Sequence, residues 1–432
     1  MGPYLRLFIL ALISSLTSAF VFLLAHYCNR MRHYPNTYQT LSQPHSQHAT
    51  SSHRVLIICT NKNMGGGEIH ALNFYKTLVK KGVATTFLTT HNALLKQELL
   101  NNNLPFYTCD AFRISGKFFN RYFSFQPGLE QAIDKICKKH DISIIHCNDL
   151  RETAAAHKIA LKIPVKIVYT RHIPDHASPL ITRSIDGIIG VSTSITDMLE
   201  KEKNVHHFTH QKVTCIQPFF DEKKFLNFTP TSSRKDFFQQ NFNETIKENM
   251  PIMCMIGHYY EDKRKNHELL LKALQKLVHE KNKPLQIAFA GNGIQEACQT
   301  LIKQYNIQDF VYFLGNTDKT PGLLFHSDIN ILPSFKDAFP ITILEGTLMK
   351  KPTIVSSVIG PAGTLIVHKQ TGLVFENNNL DSLVENIELF LDNPKLAKQL
   401  GENAYNHALK NYSNQIKLEQ LITFYDTITQ TK

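Results

Sequence analysis

The chain has 432 residues, 43% of them hydrophobic, enough apolar mass for two cores of ordinary domain size. Its 47 basic and 36 acidic side chains give a formal charge of +11, which suits an anionic partner such as phosphate, nucleotide or acidic lipid. No basic block interleaved with aromatics occurs, which argues against nucleic acid. The eight scattered cysteines show no CxxC pair or zinc spacing, and read as reduced, mostly buried thiols.

At the N-terminus, Leu7 to Ala25 is free of charge for 19 residues. As a helix it spans roughly 28 Å, close to a bilayer core. A cleaved signal peptide is the competing reading, and Ser15 to Ala19 offers small residues for cleavage. The length of the run and the single Arg6 before it favour a retained anchor. Arg30 and Arg32 follow, so the positive-inside rule leans towards a cytoplasmic C-terminal side. Residues 1–32 therefore read as a single-pass membrane anchor and 33–53 as a polar tether. The sequons begun by Asn227, Asn243 and Asn411 are then chance matches.

An α/β pattern begins at RVLIICT (54–60), followed by NKNMGGGE and a helical segment with Ile69, Leu72, Tyr75 and Val79 on one face. Gly82 closes that helix. VATTFLTT, ISIIHCN, VKIVYTR and GIIGVS are further short strands, which makes 54–218 one domain. Residues 219–249 are polar and irregular and read as a connection. A second series, PIMCMIG, LQIAFAGNG, VYFLG, INILP, PTIVSS and TGLVF, makes 250–410 a second domain, with a final helix over 411–432. Strands alternating with helices imply parallel sheets. Two Rossmann-like domains facing each other across a cleft is the economical architecture, with ligands at the carboxyl ends of the strands.

Several segments at those ends carry chemistry, each with a plainer alternative. Gly66 and Gly67 of GGGE open a helix and let backbone approach an anion, or serve packing alone. Gly291 of GNG is similar. Lys263, Arg264 and Lys265 follow the strand PIMCMIG, as a solvated face or as a diphosphate clamp. His146 and His172 end strands near the cleft, where a lone histidine is more often structural. In SFKDAFPITILEG, Pro340 reads as the first turn of a helix, with Asp337 before it and Glu345 inside it. Asp337 either caps that helix or binds a ligand.

The order of these segments resembles one family, the retaining, GT-B-fold glycosyltransferases of family four. The resemblance covers about residues 54 to 425. LQIAFAGNG, VYFLGNT, HSDINILPSFKDAFPITILEGTLMKKPTIVSS and TGLVF occur in the family's order. GGGE and GVSTSITDML match its glycine loop and its strand-and-serine segment. The family's Glu-seven residues-Glu motif is Asp337 and Glu345 here. The resemblance implies that Asp337 and the loop of Phe339, Pro340, Ile341 and Thr342, through the backbone N–H groups it carries, hold the donor sugar and phosphates. It implies that Glu345 holds the ribose, that Lys265, aided by Arg264, stabilises the leaving diphosphate, and that His172 lines the acceptor side. Gly66, Gly67 and Gly291 complete the donor site. Three positions depart: His258 replaces an arginine, Thr364 replaces an acid, and Asp337 is one methylene shorter than the usual glutamate.

The expected protein is a membrane-anchored transferase of the bacterial inner membrane, with cytoplasmic catalytic domains. It moves a sugar with retention from a nucleotide-sugar donor to a glycan or lipid-linked acceptor of the cell envelope, with no metal or other cofactor. The alternatives are a non-catalytic sugar-nucleotide-binding scaffold, a sugar-nucleotide epimerase and a phosphorylase.

Overall fold

A computed structural model of the chain describes residues 53–91, 93–109, 127–173, 184–206 and 210–430. The expected membrane anchor, the tether up to residue 52 and Cys28 lie outside them. Among the described residues no helix is long and apolar enough to cross a membrane. Of the seven described cysteines, six are buried.

The first domain is built on seven parallel strands: β1 (Arg54–Ile58), β2 (Ala84–Thr90), β3 (Tyr107–Cys109), β4 (Ile144–Cys147), β5 (Lys166–Arg171), β6 (Gly187–Gly190) and β7 (Lys212–Cys215). They lie in the order β3-β2-β1-β4-β5-β6-β7. The second has six: β8 (Ile252–Ile256), β9 (Gln286–Ala290), β10 (Val311–Phe313), β11 (Ile329–Leu332), β12 (Thr353–Ser356) and β13 (Leu373–Phe375), in the order β10-β9-β8-β11-β12-β13. Helices cover both faces, so Val55 to Ile58 are wholly buried along the strand with no polar alternation. Strands β3 and β7, at the two edges, escape the sequence reading because YTC and KVTC are short and carry little apolar signal. Strand order turns back between β1 and β4 and between β8 and β11, and a crevice opens at each such point.

The first helix runs from Gly66 to Lys80, and Gly82 follows it with φ 74°. Its core face shares Leu72, Tyr75 and the partly buried Val79 with the expected one and departs from it at Ile69. Ala71, Leu72, Phe74, Tyr75 and Leu78 are buried, whereas Ile69 is 39% exposed. The polar His70 and Asn73 take inward positions because hydrogen bonds await them: the His70 ring accepts from the Phe219 N–H at 2.9 Å.

Residues 219–249 are irregular only in part. They form the helices Glu222–Leu226 and Arg234–Phe242, and Phe225, Phe237 and Phe238 are buried in the core of the second domain. Five phenylalanines in a polar background anchor the segment, so its low mean hydropathy is misleading.

The last helix, Asn414–Gln430, crosses back to the first domain. The Tyr425 hydroxyl lies 2.6 Å from His146 Nδ1, and His53 lies 2.7 Å from Asp426. Gly187 of β6 leaves room for this helix, since a Cβ there would lie 2.3 Å from Ile428. Lys417 is fully buried, with its ammonium on the Pro218 carbonyl at 2.7 Å and near the rings of Phe219 and Phe220. Burial pushes its pKa down to about 7.

Candidate active site

In the second domain the loops after β8 and β11 meet at the crevice. The Phe335 N–H donates to the Arg264 carbonyl at 3.0 Å, which ties the two loops together. Beside that tie, Lys265 Nζ donates to Asp337 Oδ2 at 2.5 Å, with side chains only 11% and 18% exposed. A pair this sheltered holds a charge-assisted bond ready for exchange with an anionic ligand. The other two bases of the triplet point elsewhere. Lys263 pairs with Glu268, and Arg264 pairs with Asp262 while its guanidinium lies 4.7 Å from the Tyr260 ring centre.

Asp337 is held by its own backbone. Its carbonyl accepts the Gly360 N–H at 3.1 Å, and a Cβ on Gly360 would lie 1.5 Å from the Ala338 carbonyl oxygen and 2.9 Å from Ser192 Cβ. Three segments from two domains therefore close on one glycine. Thr364 bonds back to the carbonyls of Gly360 and Pro361 and stabilises the same turn.

The helix after β11 runs from Ile341 to Leu348, and Pro340 precedes it as the N-cap rather than lying in its first turn. No side chain caps it, so Asp337 does not serve as a cap. Pro340 has no N–H, and the Phe339 ring is buried and stacked on Tyr412 at 6.1 Å, so neither side chain reaches a ligand in this arrangement. The open donors are the first-turn N–H groups of Ile341 and Thr342, at the positive end of the helix. One turn further on stands Glu345. Its carboxylate makes no hydrogen bond to a described residue, and desolvation pushes its pKa up to about 7 against the opposing pull of Lys224. A half-buried acid with a raised pKa in a crevice marks a binding site.

Gly291 works through packing. It has φ 147°, and a Cβ would lie 2.5 Å from the Gly257 carbonyl oxygen, so the loops after β8 and β9 touch only because it is glycine. His258, in the family's arginine position, accepts the Asn292 N–H at 2.9 Å. Burial and Lys265 both hold its pKa below the usual histidine value, so it brings no second positive charge to the crevice near neutral pH.

In the first domain the glycine loop follows β1. The Glu68 carboxylate accepts from the Gly65 N–H at 2.9 Å and from Asn61 at 2.6 Å, closing the loop on itself. Gly66 faces open space, and a Cβ on Gly67 would stand 3.6 Å from the His172 ring. His172 lies just beyond β5, half-buried, and desolvation drives its pKa down to about 4 although Asp149 pulls the other way. His146 plays no part in the cleft: it is buried between Tyr425 and Thr170, each at 2.6 Å, and is structural. Gly66, Gly67 and His172 thus gather at one switch point and Lys265, Asp337, Ile341, Thr342 and Glu345 at the other. Sequence reasoning missed His70, Asn148 and Glu152. Asn148 had a signal, as a polar residue directly after a strand at the switch point. Among the described residues, no group of three or more His, Cys, Asp and Glu side chains is placed to hold a metal ion.

Residues 64–224 match the family Glycosyltransferase Family 4, and residues 236–407 match Glycosyl transferases group 1. The chain is 23% identical over 378 residues to the N-acetyl-alpha-D-glucosaminyl L-malate synthase of Bacillus anthracis, covering 85% of this chain and 94% of the relative. It is 28% identical over 206 residues to the N,N'-diacetylbacillosaminyl-diphospho-undecaprenol alpha-1,3-N-acetylgalactosaminyltransferase of Campylobacter jejuni, covering 48% of this chain and 52% of the relative. The crystal structure of Anabaena HepE in complex with UDP is similar with a TM-score of 0.70 at 16% identity, covering 87% of this chain and 100% of that one. A glycosyltransferase structure from Rickettsia africae is similar with a TM-score of 0.72 at 20% identity, covering 88% and 99%. At these identities the structural likeness speaks for the fold: the two parallel-sheet domains described above.

Proposed function

Because the chain belongs to the group 1 glycosyltransferases of family four and shares their two-domain GT-B fold, we propose that it transfers a sugar with retention from a nucleotide donor to a glycan or lipid-linked acceptor of the cell envelope. The sheltered Lys265–Asp337 pair beside an uncapped helix start carries this reading. On donor binding, Lys265 turns from Asp337 to the diphosphate, where it and the N–H groups of Ile341 and Thr342 offset the charge that grows as the glycosidic bond breaks. Asp337, released, accepts the sugar hydroxyls, and Glu345 accepts those of the ribose. Cation and helix dipole together supply what a metal would otherwise supply, so the reaction is proposed to need none.

The Anabaena neighbour holds UDP, and the Campylobacter relative acts on an undecaprenol-linked sugar. Both fit an enzyme held at the bacterial inner membrane by residues 1–32, with its domains in the cytoplasm. The test uses the full chain in detergent, a panel of nucleotide sugars led by UDP-sugars, and membrane extract as acceptor source. Turnover with one donor, a product of unchanged anomeric configuration and indifference to EDTA are expected. Binding without turnover points to a scaffold, an inverted product overturns retention, and loss of activity in EDTA overturns metal independence.

Glu345 makes donor binding depend on pH. Hydroxyls bond best to the ionised carboxylate, which is populated as pH rises through about 7. Affinity for a UDP-sugar, measured by calorimetry without acceptor, should rise about tenfold from pH 6 to 8, as the ionised fraction does. Glu345→Gln should bind more weakly and show no such rise. A wild-type profile as flat as the variant's removes Glu345 from the donor site.

A further inference from the structure

We propose that Asn148 is a positioning residue for His172: its amide holds the imidazole as the Nε2–H tautomer and keeps Nδ1 as the nitrogen that accepts a hydrogen bond from the incoming hydroxyl. This rests on the acceptor-side reading of His172 given above. A neutral imidazole has one donor and one acceptor nitrogen, so the tautomer decides which edge can receive a proton.

The orientation of Asn148 follows from its other bond. Nδ2 donates to the Ile58 carbonyl at 3.1 Å, and the reversed amide would set two oxygens against each other. Oδ1 therefore faces His172 Nε2, at 3.3 Å, and an amide oxygen only accepts. The proton must lie on Nε2. No described residue bonds Nδ1.

The amide is itself fixed. Buried Glu152 accepts the N–H groups of Asn148 and Asp149 through Oε2, at 2.9 and 3.1 Å. Its Oε1 accepts the N–H and hydroxyl of Thr60, at 2.6 and 2.8 Å. The carboxylate thus ties the segment that leaves β4 to the segment that leaves β1. His172 is held as firmly along the chain: buried Arg171 pairs with Glu202 at 2.7 Å and donates to the Ile173 carbonyl at 3.3 Å. The His70 ring lies 5.0 Å from the His172 ring, and its Nδ1 is occupied by the Phe219 N–H. The titratable groups around His172 are Asp149, His70 and His146.

The test is a long-range proton–nitrogen NMR spectrum of the full chain carrying 15N-histidine, with His172 assigned through His172→Gln. A protonated Nε2 and an imine-type Nδ1 are expected in the wild type. The opposite pattern overturns the proposal whether or not any variant folds. Asn148→Leu should mix the tautomers and lower kcat with acceptor about tenfold, with a smaller loss in hydrolysis of the donor by water. Asn148→Asp keeps the accepting oxygen and the tautomer, but its charge favours the imidazolium. The acid limb of its rate profile should therefore lie on the order of one pH unit higher. An unchanged limb in a folded Asn148→Asp protein counts against the contact. A wild type that turns over no nucleotide sugar would sink the transferase reading and leave the tautomer result standing.

Discussion

Lys265→Ala is expected to lower kcat about a hundredfold, roughly 2.7 kcal/mol of transition-state stabilisation. Donor affinity should fall less, because the charge Lys265 meets is greatest when the diphosphate departs. Arg264→Ala should be mild, since that guanidinium already rests on Asp262 and the Tyr260 ring. The pairing of Lys265 with Asp337 adds a sharper requirement. Each variant removes the other's partner, so Lys265→Ala, Asp337→Asn and the double variant should be clearly non-additive in kcat. Additive losses mean that the two groups work apart. A severe Arg264→Ala beside a mild Lys265→Ala would transfer the role by one residue.

Gly360→Ala is expected to cost about as much without touching a ligand. The added carbon would stand 1.5 Å from a backbone oxygen, which no rotamer change relieves, so the Asp337–Ala338 segment must move. Displacement of a reacting group by about 1 Å can cost a hundredfold in rate. Overpacking of this kind costs roughly 1–3 kcal/mol of stability, a few degrees in melting temperature for a domain of this size. The expected result is a folded protein, melting slightly lower, with kcat reduced about a hundredfold. Full activity in a soluble Gly360→Ala protein means that the Asp337 loop needs no such fixing.

Much of the fold is legible in the chain, because a parallel sheet buried on both faces writes each strand as an unbroken apolar run. RVLIICT, LQIAFAGNG and INILP all coincide with strands. The edges fail for the complementary reason, that YTC and KVTC are too short to carry the signal. The first helix is legible, with Leu72, Tyr75 and Val79 against the core, but Ile69 lies outside it and His70 and Asn73 lie inside, held by hydrogen bonds that periodicity does not register. Pro340 caps the helix one residue before the first turn in which the sequence places it, so the helical N–H donors begin at Ile341. The binding groups could be named, but not their relations. Lys265 and Asp337 are 72 positions apart, and nothing local says that they touch. Asn148 belongs to the same class: an amide after a strand is unremarkable until its two bonds are seen together.

The last helix has a consequence for synthesis of the protein. The first domain uses residues from both ends of the chain, since Tyr425 closes over His146 and Ile428 fills the space above Gly187. A ribosome has therefore made every strand of the second domain before it supplies the final layer of the first. The nascent first sheet waits with an apolar face uncovered, and the domain begun first is finished last.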